Sequence, residues 1–168
     1  MDLMRTVSLV ALVVAGCGGG DGSGDAATTD DAPAKKADSR VEKDASAATP
    51  GPTITLRDSN FGPMLFDSNK QAIYVFERDR RNTTVCYGDC AGAWPPVFSD
   101  GPPRAGKGVR ASLLGTIERR DGRMQVTYAG RPLYFYAHED PGVVLCHNVN
   151  LNGGFWWAIG AEGSPRPA

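Results

Sequence analysis

The folded part of this chain is expected to be all-β, with minor short helical turns, built from two tandem pseudo-symmetric β-repeats packed into one small domain. Three observations lead there. Short runs of Val, Ile, Thr and aromatic residues alternate with Gly, Pro, Asn and Asp clusters from residue 53 to 162. Asp121-Gly122 sits between "GTIERR" and "RMQVTY", a strong hairpin signal. One pattern of hairpin, acidic turn, cysteine and tryptophan then occurs twice in the same order.

Taken in order, strands are expected at Thr53–Arg57, Pro63–Phe66, Ala72–Glu77, Gly115–Arg119, Met124–Tyr128, Leu133–Ala137 and Trp156–Ile159. Asp67-Ser68-Asn69 and Ala129-Gly130 supply turns, since Asn and Gly tolerate the left-handed conformation. The stretch from Tyr87 to Trp94 fits a short helical turn that Pro95 stops. "VRASLLG" at 109–115 fits another. Repeat 1 covers about 55–100 and repeat 2 about 113–162. Aligning Tyr74 with Tyr134 places Phe76 on Tyr136 and Asp79 on Glu139, or on Asp140 if one residue bulges. Val85-Cys86 then falls near Leu145-Cys146, and Trp94 near Trp156.

Outside the domain the composition changes. The chain opens "MDLMRTVSLVALVVAGCGGG", with Arg5 ahead of an apolar run from Val7 to Ala15. That run is too short for a bilayer span, which needs about 20 apolar residues, and has the form of a signal-peptide core. It ends in Val14-Ala15-Gly16-Cys17, which resembles a bacterial lipobox. Residues 1–16 then form a lipoprotein signal peptide, and Cys17 carries the lipid. Several acyl chains on one residue give a stable anchor. Gly18 follows the cysteine, where Asp would look like an inner-membrane retention signal, so the outer membrane is favoured over the inner if the host has two. Residues 17–52 hold no aromatic side chain and little aliphatic bulk, which is the composition of a disordered tether. A disordered tail is expected at 163–168.

The formal net charge is −1, and the Arg and Lys of 104–123 are scattered over turns. No basic stripe with interleaved aromatics marks a nucleic-acid partner. Gly-x-Ser-x-Gly, His-Glu-x-x-His and a phosphate-binding glycine loop are all missing from the sequence. An acid pair for glycosidic cleavage would need Asp79, Glu139 and Asp140 to meet across the repeat axis at a cleft.

Two readings of the aromatic signature are open. Alternation puts Tyr74 and Phe76 on one face of a strand, where they serve as core, with Asp79 accepting backbone N–H bonds in the following turn. The other reading is a ligand platform of Tyr74, Phe76, Tyr134, Tyr136 and Trp156, suited to stacking a glycan. The cysteines are open too. With Cys17 lipidated, Cys86, Cys90 and Cys146 form an odd set in an oxidising compartment. A Cys86–Cys90 bridge closes a very small loop, and a bridge to Cys146 closes one of roughly sixty residues, worth about 4 kcal/mol in the chain-entropy picture. The Cys-x3-Cys spacing also resembles envelope copper claws. His147, Met64 and Met124 are at hand to complete one, and Cys86, Cys90, Cys146 and His147 have the ligand count of a zinc site.

"YVFERD" at 74–79, "CYGDCAGAWPP", "DGRMQVTYAGRPLYFY" and "VVLCHNVNLNGGFWW" together resemble the tandem-repeat bacterial lipoproteins named "secreted repeat of unknown function". The resemblance spans nearly all of 55–162. It implies Tyr74, Phe76 and Asp79 as one signature and Tyr134 and Tyr136 as the second, with Trp94 and Trp156 closing each repeat. It also implies the local Cys86–Cys90 staple, because Cys-x3-Cys lies inside one repeat, and leaves Cys146 reduced. The function expected is a non-catalytic envelope binding or interaction module without a cofactor, held to the membrane by its lipid and meeting a protein or glycan. A copper- or thiol-handling protein is the alternative.

Overall fold

A computed structural model describes residues 49–167. The signal peptide, Cys17 and most of the tether lie outside that range. The first hairpin joins β1 (Thr53–Arg57) to β2 (Met64–Asp67), in register Ile54↔Asp67 and Leu56↔Leu65. The chain continues through β3 (Tyr74–Phe76), a short helix α1 (Asp89–Ala93) and β4 (Arg104–Ala105), which lies parallel to β1. After a 3-10 turn at Ala111–Leu113, β5 (Leu114–Glu118) and β6 (Met124–Tyr128) form the second hairpin. Its loop uses Gly122 at φ 77°, the left-handed residue that Asp-Gly foreshadows. Then follow β7 (Arg131–Pro132), β8 (Val149–Leu151) and β9 (Gly154–Ala158). Three sheets result, ordered β2-β1-β4, β3-β9-β8 and β5-β6-β7.

The two repeats interlock. At the centre Tyr74 N–H donates to Tyr134 O at 2.9 Å, and Tyr134 N–H returns to Tyr74 O at 3.0 Å. The segment after Trp94 crosses to the second repeat, where Val97 pairs with Val126 and Leu133. The segment after Trp156 crosses back, and Leu65 N–H donates to Ile159 O at 2.9 Å. Each repeat therefore completes the hydrogen bonding of the other.

Alternation along β3 splits the interior in two. Ile73 and Val75 join Ile54, Leu65, Val97, Val126, Leu133 and Ile159 on one side. Tyr74 and Phe76 join Trp94, Tyr134 and Trp156 on the other. There Trp94 and Trp156 stack at 3.8 Å with planes 2° apart. Phe76 caps Trp156 at 4.2 Å, and Tyr136 caps Trp94 at 4.7 Å. Tyr74 meets Trp94 edge-on, as Tyr134 meets Trp156. Such pairs contribute about 0.5–1.5 kcal/mol each beyond their buried area. The glycan platform is thus corrected: Tyr74, Phe76, Tyr134 and Trp156 are buried and Tyr136 is half-buried.

Some expected elements differ. Leu133–Ala137 is not a strand, because each residue bonds to a different neighbour. Leu133 N–H goes to Val126, Tyr134 to Tyr74, Phe135 to Pro95 and Ala137 to Ala93. The Trp156–Ile159 strand begins earlier and pairs with β8, which was not expected from "NVNLNGG". Asn152 and Gly153, both at positive φ, make a two-residue hairpin turn there, and the Asn-Gly pair was its signal. The domain starts before 53, since Gly51 N–H donates to Pro102 O and Arg104 N–H to Pro52 O. The end expected as a disordered tail is paired instead: Arg166 N–H bonds to Ala158 O, and its Nε donates to Phe61 O at 3.1 Å.

Candidate functional site

The acidic signature residues sit where the repeats grip each other. Tyr134 Oη donates to Asp79 Oδ2 at 2.6 Å, and Asp79 Oδ1 accepts the Val85 N–H at 2.8 Å. In the other direction Tyr74 Oη donates to Glu139 Oε1 at 2.7 Å, and the same oxygen accepts the Leu145 N–H. Each carboxylate closes its own turn and holds the tyrosine of the other repeat. The pairs 74/134, 79/139 and 85/145 share one offset, so Glu139 is the partner of Asp79 in the repeat. Asp140 stays exposed. Glutamate spans one more methylene and reaches the same place.

The two clasps differ in what surrounds them. Around Asp79, the Thr84 hydroxyl meets Tyr134 Oη at 2.6 Å. Tyr134 gives its proton to Asp79, so Thr84 donates here. Thr84 Oγ1 accepts in turn from Cys86 N–H and, at 3.5 Å, from Arg119 Nη1. Arg119 is buried, donates to Gln125 Oε1 at 2.6 Å and to Cys86 O at 2.8 Å, and lies over the Tyr87 ring. Gln125 passes the chain to Leu133 O. Burial raises the Asp79 pKa, opposed by the Tyr134 and Val85 hydrogen bonds and the Arg119 charge. No cation among the described residues opposes burial at Glu139 as Arg119 does at Asp79. Burial raises the Glu139 pKa against the Leu145 and Tyr74 hydrogen bonds, and its buried Oε2 has no partner among the described residues. Burial also holds both tyrosine hydroxyls far above the ordinary phenol range.

Cys86 and Cys90 are joined to each other at 2.01 Å, with Cα atoms 5.3 Å apart, and so brace the entry to α1. Cys146 is reduced and buried. Burial first, then the Glu139 charge, push its thiol up to about 11, against a hydrogen bond from Tyr136, so it holds little nucleophilic thiolate at neutral pH. His147 Nδ1 accepts the Ala158 N–H at 3.2 Å, which leaves Nε2 to donate to Pro167 O at 2.9 Å. Its ring rests on Phe61. The copper or zinc set of Cys86, Cys90, Cys146 and His147 is therefore corrected: two sulfurs are bonded together and both imidazole nitrogens are used. Met64 is buried in the aromatic core and Met124 lies on β6, so they do not complete it. Among the described residues no three His, Cys, Asp or Glu side chains are placed to hold a metal.

Sequence reasoning missed Arg119, Thr84 and Gln125. A detectable signal existed for Arg119: it lies two residues after buried Ile117, on the same inward face of β5 extended. Asp79 and Glu139, the acids of the glycosidic reading, are each engaged by a tyrosine hydroxyl and a backbone N–H.

This is a tandem-repeat β domain whose halves are clasped by exchanged tyrosine–carboxylate pairs. The family described as "secreted repeat of unknown function" matches residues 55–98 and 115–159, one match per half, and the chain belongs to that family. No curated protein and no solved structure matches the chain.

Proposed function

We propose that this protein is a lipid-anchored envelope module with a non-catalytic binding or interaction role. The family is a secreted one, which supports export. The lipobox-like Val14-Ala15-Gly16-Cys17 supports acylation at Cys17, and Gly18 favours the outer membrane where there are two. One observation carries the functional part. The residues best able to do chemistry, Asp79, Glu139, Tyr74 and Tyr134, are spent on holding the two repeats together. The surface, rather than a buried constellation, is then left to do the work.

The test is a thiol count and a metal titration on the Cys17→Ser chain made in an oxidising compartment. One thiol after denaturation and no retained copper or zinc is the expected result. Three thiols with stoichiometric metal would refute it. Acylation is tested separately by intact mass of the exported protein, which should lose its acyl chains in Cys17→Ser. An acylated Cys17→Ser protein would refute the anchor.

A further inference from the structure

The repeats agree in the core and disagree on the surface. Residues 78–81 of the first repeat read Arg-Asp-Arg-Arg, and the equivalent 138–141 read His-Glu-Asp-Pro. The fold turns Asp79 inward onto Tyr134 and Val85. What remains outside is Arg78, Arg80 and Arg81, all exposed. A residue that would neutralise these cations in an extended peptide is removed from them by the clasp.

The second repeat adds to the same place. Asn82 N–H donates to Gly130 O at 2.7 Å, which seats the arginine turn on the β6–β7 hairpin turn. The Arg81 guanidinium carbon lies 3.3 Å from where a Cβ on Gly130 would be, and Arg131 follows directly. Among the described residues none of these four arginines forms a salt bridge. Glu77, the adjacent acid, accepts the Phe155 N–H at 3.1 Å.

We propose that Arg80, Arg81 and Arg131 form a docking face for the phosphate headgroups of an anionic bilayer, while the Arg78 side chain lies against Gly153 and Gly154 of the β8–β9 hairpin. This rests on the lipid-anchor reading, since an acyl chain at Cys17 keeps the face within reach of a membrane. The cations stand on two adjoining turn tips, a shape that meets a flat charged surface at several points at once. A flexible polyanion is better held along a basic groove. Each arginine near an anionic surface adds to the attraction, which weakens as salt shortens the screening length.

The experiment is co-sedimentation of mature chain, residues 17–168 with Cys17→Ser, with phosphatidylcholine vesicles holding about 30 % phosphatidylglycerol. Removing the acyl site separates this test from the anchor, which the mass measurement above decides. The expected result is binding to anionic vesicles, loss on pure phosphatidylcholine and loss near 1 M salt, where the screening length is about 3 Å. The combination Arg80→Gln, Arg81→Gln, Arg131→Gln should weaken binding by about tenfold or more. The same three positions changed to Lys should stay within about threefold, which shows that the variants fold and that charge at this face matters. Arg57→Gln, Arg104→Gln, Lys107→Gln removes equal charge elsewhere and should change binding little. Equal loss from both glutamine sets would overturn the proposal in favour of net charge alone. No binding to anionic vesicles would overturn it outright, as would tighter binding to soluble dextran sulfate than to vesicles. Residues 17–48 hold seven Asp or Glu against four Lys or Arg. A tenfold gain on deleting 18–48 would assign the face to that acidic segment and overturn the bilayer reading.

Discussion

Replacing Tyr134 with Phe removes one oxygen from the centre of the first clasp, and its cost can be worked from the neighbours. Asp79 Oδ2 loses its 2.6 Å donor. Thr84 loses an acceptor but keeps the Cys86 N–H and Arg119 contacts. A hydrogen bond to a charged group contributes about 1.5–3 kcal/mol net, and Asp79 is half-buried, so about 2 kcal/mol is expected. Asp79→Ala removes the same bond and the one to Val85 N–H. Val85 is 50 % exposed, so water replaces the second bond cheaply. Its cost should also be about 2 kcal/mol. The double variant should cost clearly less than the sum, leaving a coupling of about 1–2 kcal/mol. Asp79→Asn should cost about half as much as Asp79→Ala. Its single amide oxygen can keep either the Tyr134 or the Val85 bond, without the charge. Urea unfolding at constant slope measures all four proteins. Additive single and double effects, within about 0.3 kcal/mol, would refute the claim that the acid and the tyrosine act as one clasp.

The second clasp is read out by pH. Burial raises the Glu139 pKa above its ordinary 4.5, so the folded state binds the proton more tightly than the unfolded state. That contribution is fully present below 4.5 and is lost as pH rises through the higher folded value, a decline that Glu139→Gln should reduce. A pH profile unchanged by the substitution would contradict it. Reduction of Cys86–Cys90, or its replacement by two alanines, should cost about 2 kcal/mol or less, because the closed loop is so short. Native Cys146 should resist maleimide until the protein unfolds, whereas fast native labelling would show the thiol is not buried as placed. Deleting 18–48 should leave the thermal midpoint nearly unchanged, and extending the deletion through 52 should lower it by breaking the Gly51 and Pro52 bonds. Equal midpoints would remove those bonds from the fold's stability.

Runs of Val, Ile, Thr and aromatic residues marked β1, β3 and β6, and the Asp-Gly turn marked the β5–β6 hairpin, because those signals depend only on residues close in sequence. The same locality explains why α1 was legible ahead of Pro95. Leu133–Ala137 differs from the expected strand because its aromatic run reads like one, while its bonds go to three different segments. Asp79 was readable as an acceptor for its own turn, since Val85 lies six residues on. Its second partner, Tyr134, lies fifty-five residues away. No local pattern carries that distance.

By itself the sequence determined a repeat counted twice, the β class, and a Cys-x3-Cys pair whose closeness suits a staple. Each of these follows from composition or from spacing along the chain. The tertiary structure alone decided that Glu139 and not Asp140 completes the second clasp, that Arg119 is buried, and that the aromatic signature is a stack around Trp94 and Trp156. The physical reason is the crossing of the repeats. Each half supplies the hydrogen-bond partners and the covering rings of the other, so those roles exist only once residues sixty apart are brought within 3–4 Å.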